Sequence, residues 1–93
     1  GYGATSKSTT IMNYCNIDNS ILDYICDTTK DKIGKYSPGK HIPIVSMSHF
    51  YNNKPDICYL FAWNHKKEIF KKENSFLKNV LMVSLNAQSS VFF

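Results

Sequence analysis

The chain contains no arginine: its eleven basic residues are all lysines, and its formal net charge is +4. Arginine is the side chain that recognises phosphates and base edges in a bidentate manner. Its absence argues against a dedicated nucleic-acid binder, and no nucleic-acid partner is expected. Five of the lysines fall close together and predict the solvated face of one helix: Lys66, Lys67, Lys71, Lys72 and Lys78.

Long apolar runs and paired metal ligands are also absent. No segment approaches the about 20 apolar residues that a membrane-spanning helix needs, so no membrane partner is expected. The three cysteines are odd in number, and neither a Cys-x-x-Cys nor a His-x-x-x-His spacing occurs. We therefore expect buried free thiols in a reducing cytoplasm, a cytoplasmic protein, and no metal site built from this chain. The residues concerned are Cys15, Cys26, Cys58 and the isolated His41, His49 and His65.

The first fourteen residues predict a glycine-rich turn that runs into a helix. Gly1 and Gly3 let backbone amides approach a phosphate closely, because glycine has no Cβ and tolerates positive φ. The helix start adds its own amides and its positive dipole end, and Lys7 adds a charge. The third glycine of the dinucleotide fingerprint and the Walker order are missing, so a plain tight turn with a solvated Lys7 is an equal alternative. The nearby hydroxyls that could contact a phosphate are those of Ser6, Ser8, Thr9 and Thr10.

A buried strand normally feeds a glycine-rich turn of this kind. No apolar run, signal peptide or initiator methionine stands before Gly1. We therefore expect a piece of a longer polypeptide whose first strand is truncated. The strands at 24–26 and 57–62 should flank the missing strand, leaving a gap that the tail Val91–Phe93 or a second copy would fill. The gap would leave an exposed sheet edge, and we expect the chain to self-associate through that edge.

The rest of the chain alternates helical and extended patterns. Ile57–Ala62 and Val80–Leu85 are apolar throughout, as expected for strands covered on both faces by helices. Pro43 cannot donate a ladder hydrogen bond, so the segment Ile42–Val45 is expected to be an edge strand or a short extended segment. Together these patterns predict an α/β domain with a small, mostly parallel sheet. The other predicted elements are helices at 8–15, 48–53 and 66–78 and a strand at 24–26, with an ambiguous tail at 86–93.

Asp27 closes the strand at 24–26 and follows Gly3 by 24 positions. Nucleotide-binding α/β folds place an acidic residue near this spacing, where it contacts a ribose hydroxyl. An aspartate that opens a turn is the equally open alternative.

Several segments together resemble the C-terminal domain of S-adenosylmethionine-dependent sugar C-methyltransferases, which methylate nucleotide-linked deoxysugars. They occur in the family's order and at close to its spacing, up to about residue 70. The matching pieces are Gly1–Ala4, Lys7, Thr10, Asn13–Tyr14, Ile21–Tyr24, Asp27, Lys32, Gly34, Pro38–Gly39, His41–Ile44, Lys54–Asp56, Ala62–Asn64 and Glu68–Ile69.

The resemblance implies that residues 1–93 form a single Rossmann-like, three-layer domain that helps to bind the nucleotide-sugar substrate. Catalytic residues, S-adenosylmethionine and zinc would belong to upstream domains of the same polypeptide, so this segment alone should bind no cofactor and transfer no methyl group. The substrate-binding residues implied here are Tyr2, Gly3, Ala4, Lys7, Thr10, Asn13 and Asp27.

The chain departs from the family pattern at Thr5, Ser6, Ser8 and Thr28 and after residue 85. Ser8 stands where the family has a glycine, and Thr28 stands where it commonly has an arginine. Two other function classes therefore stay open. One is a stand-alone nucleotide- or coenzyme-binding regulatory module, and the other is a non-catalytic structural domain in which the loop is vestigial.

Overall fold

The computed structural model describes residues 1–61, 65–76, 78, 80–83 and 90–92, the last three by their backbone alone. The predicted strand ends at Ala62 and at residues 84–85 lie outside these ranges, as does position 77 of the helix predicted at 66–78. The elements in chain order are α1 (Ser6–Tyr14), β1 (Ile25–Cys26), β2 (Ile44–Val45), α2 (Met47–Asn52), β3 (Ile57–Tyr59), α3 (Lys66–Glu73), β4 (Leu81–Val83) and β5 (Ser90–Phe92).

Helix α1 begins two residues before the predicted start because Thr5 caps it. The Thr5 Oγ1 accepts a hydrogen bond from the Ser8 N–H at 3.1 Å, and the Ser8 Oγ accepts one from the Thr5 N–H at 3.0 Å. This reciprocal pair is a capping box, which satisfies amides that the first turn leaves without helical partners. The polar helix is anchored on the core through Met12, which is fully buried.

Strand β1 pairs in parallel with β2, with Ile25 opposite Ile44. The edge position predicted from Pro43 holds among the described residues, since β2 pairs with no other strand there. The loop before β2 covers that edge: the Gly34 N–H donates to the Ile44 carbonyl at 2.9 Å, and the Ile44 N–H donates to the Lys35 carbonyl at 2.8 Å.

A second sheet contains β3, β4 and β5 in that order. Strand β3 is parallel to β4, and β5 is antiparallel to β4, with Val91 opposite Met82. The tail therefore pairs at the far side of this sheet, and the expectation that it fills a gap beside Gly1 is wrong.

Tyr2 joins the two sheets. It forms one parallel bridge to Cys26, the last residue of β1, and another to Leu60, the residue just after β3. Its N–H donates to the Tyr59 carbonyl at 2.8 Å, and its carbonyl accepts the Phe61 N–H at 3.0 Å. Gly1–Gly3 therefore lie between β1 and β3, and the strand expected to end immediately before Gly1 stays a prediction. The α/β architecture with short parallel sheets is confirmed.

Apolar side chains cover both faces of these strands, as the alternation of side chains along a strand requires. One cluster, with Phe50 and Met82 at its centre, includes Tyr2, Cys26 and Leu60. The other cluster contains Ala4, Met12, Ile25, Ile42, Ile44 and Phe61. Helices α2 and α3 contribute to the first cluster and α1 to the second.

Three details differ from the sequence expectations. Ile57, the first residue of β3, is 61% exposed rather than buried. Cys15 is an exposed thiol rather than a buried one, since it caps the end of α1. Helix α3 ends at Glu73, so Lys78 lies beyond the helical face that the lysines were expected to share. In the described ranges, no helix is long and apolar enough to cross a bilayer.

Candidate functional site

A crevice of about 440 Å³ lies where the parallel strands end. Tyr2 and Gly3 line it from the central position, Asp27 lines it from the end of β1, and His65 and Glu68 line it from the start of α3. The chain runs from Tyr2 to β1 on one side and later to β3 on the other. Ligands of open α/β sheets bind at such a reversal, beyond the carboxyl ends of the strands.

Asp27 connects the glycine turn to the loop after β1. Its Oδ2 accepts the Ala4 N–H at 2.7 Å, and its Oδ1 accepts the Thr29 N–H at 2.8 Å. Lys32 completes the arrangement, because its Nζ donates to the Ala4 carbonyl at 2.6 Å. The carboxylate and the ammonium thus hold both backbone groups of Ala4.

Opposing influences act on the Asp27 carboxyl. Partial burial, the largest of them, raises its pKa, but the N–H donors of Thr29 and Ala4 and the charge of Lys32 outweigh it. The net result is a pKa below the ordinary aspartate value, so the group is a carboxylate at neutral pH.

The amides of the glycine turn are directed within the chain. The Gly3 N–H donates to the Cys26 carbonyl at 2.9 Å, the Ala4 N–H donates to Asp27, and the Thr5 N–H donates to Ser8. Gly3 has φ of 99°, a conformation that favours glycine. The positive φ of Gly3 lets the turn bring its amides to the Cys26 carbonyl and the Asp27 carboxylate. An anion that bound the same amides would have to displace these two partners.

The hydroxyls around Lys7 also bond to their own helix. The Ser8 Oγ is buried and donates to the Thr5 carbonyl at 2.6 Å, and the Thr10 Oγ1 donates to the Ser6 carbonyl at 3.1 Å. The Ser8 hydroxyl is thus used within the helix cap, and the expectation of phosphate contacts by these hydroxyls stays a prediction. Serine and threonine side chains in a first helical turn commonly make such local bonds to the backbone.

A second cleft of about 530 Å³ adjoins the crevice. It lies between the first turns of α1 and the segment 32–38, with Ile44 also lining it. Thr5 and Lys32 line both cavities, so Lys32 stands at the boundary between them. Lys35, Tyr36, Ser37 and Pro38 complete the far wall of this cleft.

The structure brings only some of the predicted site residues together. The crevice contains Tyr2, Gly3 and Asp27, and the cleft contains Ala4 and Thr10. Lys7 lies with Thr10 at a shallow depression on the outer side of α1. The remaining residue, Asn13, lies near the end of α1 and lines neither cavity.

Tyr2 is a core residue as well as a crevice residue. Its ring is buried and contacts Phe50 edge to face, with 5.6 Å between ring centroids. Burial, and to a smaller degree the charge of Glu73, raises the pKa of the Tyr2 hydroxyl, which stays protonated. Tyr2 would therefore contact a ligand through the edge of its ring and would contribute no charge.

Asn13 contacts the loop that closes the second cleft. A Cβ on Gly39 would lie 2.6 Å from the Asn13 Oδ1, and Gly39 has φ of 84°. Two segments of the family resemblance, Asn13–Tyr14 and Pro38–Gly39, are therefore neighbours in space. The contact gives Asn13 a structural role, because its side chain packs against this loop.

Substitution of Gly39 by alanine should destabilise the protein by more than the same change at Gly34. Both glycines have positive φ, which costs alanine about 1–2 kcal/mol, but a Cβ at Gly34 meets no atom within 4 Å. Urea denaturation of the two single variants measures the difference. Combining Gly39→Ala with Asn13→Ala should remove the excess cost, and equal losses for both glycines would contradict the contact.

Sequence reasoning missed Lys35, Tyr36 and Ser37 as cleft residues. They fall in the polar segment 28–41, whose composition is that of an ordinary loop. The available signal was the pair Gly34 and Pro38–Gly39, which marks a loop with defined turns. Among the described residues, no three His, Cys, Asp or Glu side chains lie close enough to hold a metal ion.

Comparison with known proteins identifies the family. The model for the C-methyltransferase C-terminal domain matches residues 1–83. The chain is also 38% identical over 79 residues to the C-methyltransferase NovU of Streptomyces niveus. That alignment covers 85% of this chain and 19% of the relative, so the chain spans about a fifth of the relative's length. The chain therefore belongs to the C-methyltransferase C-terminal domain family.

Proposed function

We propose that this domain binds the nucleotide-linked sugar substrate of a C-methyltransferase, with its diphosphate near Lys32. The observation that supports this best is the position of Lys32 between the strand-end crevice and the neighbouring cleft. Two joined cavities suit a ligand with two bulky ends and an anionic centre. A Rossmann-like arrangement, with ligands bound at the strand ends, is part of this proposal.

Lysine side chains rather than loop amides would supply the positive charge. The Lys32 ammonium has three N–H donors, and one of them is given to the Ala4 carbonyl. The others remain for phosphate oxygens, and Lys35 lines the same cleft. A lysine acts as a point charge that tolerates several phosphate positions, which agrees with the absence of arginine.

Methyl transfer would occur elsewhere in the polypeptide. The relative named as a C-methyltransferase is about five times longer than the aligned region, which covers 19% of it. We place S-adenosylmethionine, zinc and the catalytic residues in upstream domains, and the whole protein in the cytoplasm. The purified 93-residue chain should then show no methyl transfer and no binding of S-adenosylmethionine.

Calorimetric titration with a panel of nucleoside diphosphates and their glucose conjugates tests substrate binding. Lys32→Ala should weaken binding by about 1.5–3 kcal/mol, roughly 10- to 100-fold, because a charge-assisted contact is lost. Lys71→Ala, an exposed lysine of α3 that lines neither cavity, is the matched control. Equal affinity in both variants, with unchanged melting temperatures, would contradict the role of Lys32.

Lys7→Ala separates the two interpretations of the turn. A diphosphate held at the start of α1 predicts a loss similar to that for Lys32→Ala. An unchanged dissociation constant would favour the alternative of a plain tight turn, since Lys7 lines a depression on the outer side of α1.

A structural role is the second candidate, and one observation favours it. The amides of Gly3, Ala4 and Thr5 are all used within the chain. In that case the turn fastens β1 to α1 and holds no ligand. Absence of binding for every member of the nucleotide panel, in a folded chain, would support this role over substrate binding.

A further inference from the structure

One carboxyl group of the lysine-rich helix α3 lies in the core. Two residues of α3 are buried, the apolar Ile69 and the acidic Glu73, which is 3% exposed. The Glu73 Oε1 accepts the Tyr51 hydroxyl at 2.7 Å, and in the described part of the chain its Oε2 meets no donor. A buried oxygen without a donor costs free energy of folding, so stability alone does not account for a carboxyl group at this position.

Aromatic packing holds the Tyr51 hydroxyl against Glu73. The Tyr51 ring contacts Phe76 edge to face, with 5.1 Å between ring centroids, and lies 5.7 Å from the centroid of Phe50. Partial burial, followed by the hydrogen bond to Glu73 and its charge, raises the pKa of the Tyr51 hydroxyl to about 12. The hydroxyl therefore stays protonated and remains a hydrogen-bond donor throughout the neutral range.

The hydrogen bond joins the far ends of two helices that both begin at the crevice. Met47, the first residue of α2, lines the crevice, as do His65 and Glu68 at the start of α3. Tyr51 and Glu73 lie in the last turns of the same two helices. A displacement of one helix end relative to the other would therefore move a wall of the crevice.

We propose that Tyr51 and Glu73 are positioning residues of the crevice, because their hydrogen bond fixes α3 against α2 and so sets the position of the α3 wall. Ile69 lies one helical turn before Glu73 on the same face of α3. The hydrophobic contact of Ile69 has no preferred direction and would let the helix turn or slide, whereas a hydrogen bond is directional.

The lost stability at Oε2 is then the consequence of a functional position. Natural proteins violate a local rule of packing or polar pairing mainly where function requires it. The inference does not depend on the proposed substrate, because it concerns the position of the wall rather than the ligand that the wall contacts.

NMR measurements on the 93-residue chain and its Tyr51→Phe variant test the proposal. Phenylalanine keeps the ring and removes the hydroxyl. Amide protection against hydrogen exchange at residues 70–73 should fall at least about tenfold relative to Ile25, whose N–H donates to the Pro43 carbonyl at 2.9 Å. Residual dipolar couplings of residues 66–73, which report the orientation of α3, should change as well.

Tyr24→Phe is the matched control. The Tyr24 hydroxyl donates to the Asn53 carbonyl at 2.8 Å, so it also bonds to the end of α2 but not to α3. The control should leave the protection and the dipolar couplings of α3 unchanged. Equal changes in the two variants would overturn the proposal, as would unchanged α3 couplings in Tyr51→Phe.

Two substitutions of Glu73 separate positioning from a general contribution to stability. Glu73→Gln keeps an oxygen that can accept the Tyr51 hydroxyl, so α3 should stay protected. Glu73→Leu accepts no hydrogen bond, so α3 protection should fall as in Tyr51→Phe.

The double variant Tyr51→Phe/Glu73→Leu removes both polar partners. Its melting temperature should equal or exceed that of either single variant, since replacing both partners by apolar groups is close to neutral, while α3 protection stays low. Recovery of α3 protection together with the melting temperature would overturn the proposal. A uniform loss of protection at α1, α3 and Ile25 in Tyr51→Phe would also overturn it, because the pair would then contribute only to global stability.

Discussion

Phe50→Ala is expected to cost about 3–5 kcal/mol of folding free energy, the range for removing a buried aromatic side chain. Phe50 is 1% exposed and contacts the rings of Tyr2, Tyr51 and Phe76. Its centroid lies 4.7 Å from that of Phe76. Domains of this size have a total stability near the lower end of about 5–15 kcal/mol, so the variant should be largely unfolded at 37 °C.

Urea denaturation followed by circular dichroism measures this effect. Tyr14→Ala, an aromatic truncation at a residue that is 90% exposed, should change stability by less than about 0.5 kcal/mol. Phe50→Leu keeps much of the volume and should cost roughly 1.5 kcal/mol or less, so a measurable transition is retained. Similar losses for Tyr14→Ala and Phe50→Ala would contradict the central position of Phe50.

Asp27→Asn is expected to cost about 1.5–3 kcal/mol, the range for hydrogen bonds to a charged group. The carboxylate accepts the N–H groups of Ala4 and Thr29, and an amide side chain can accept with only one of its two polar atoms. Partial exposure of Asp27 favours the lower end of that range. Thermal and urea denaturation at pH 7 give the difference. Asp31→Asn, at an exposed aspartate, is the control.

The same residue predicts a pH dependence of stability. The pKa of Asp27 is lowered in the folded chain, so the unfolded chain takes up a proton first as the pH falls. The contribution of Asp27 to folding stability is complete above its pKa in the unfolded chain, about 3.9. It is lost as the pH falls through the pKa of Asp27 in the folded chain. Denaturation between pH 7 and pH 2 should show this loss in the original chain and less of it in Asp27→Asn. Equal pH profiles would contradict it.

Local patterns were sufficient for most of the elements. The apolar runs predicted β3 and β4, and the segment rich in serine and threonine predicted α1, each with boundaries that shifted by a few residues. Ser46 caps α2 by accepting the His49 N–H at 3.3 Å. These features depend on neighbours within one or two turns of the chain, which is why the sequence alone indicates them.

The candidate site was predictable only in part. The structure brings Gly3 and Asp27 to the same crevice at the strand ends, and the predicted ribose contact of Asp27 stays a prediction. Their partners could not be predicted, because the Ala4 N–H can donate either to a ligand or to the Asp27 carboxylate with equal chemical reason. Glu73 shows the same limit in the core. It belongs to a lysine-rich helix, yet it is buried four residues after Ile69 and accepts the Tyr51 hydroxyl at 2.7 Å.

The sequence by itself determined the α/β class, the glycine turn before α1, and the family, since each follows from local pattern or from motif order. Only the tertiary structure decided which strands pair, that Tyr2 joins the two sheets, and that β5 returns to β4. It also decided that the amides of the turn are used by Cys26, Asp27 and Ser8. The physical reason is that strand pairing and amide partners are contacts between residues distant in sequence, which compete with one another and are settled only when the whole chain packs.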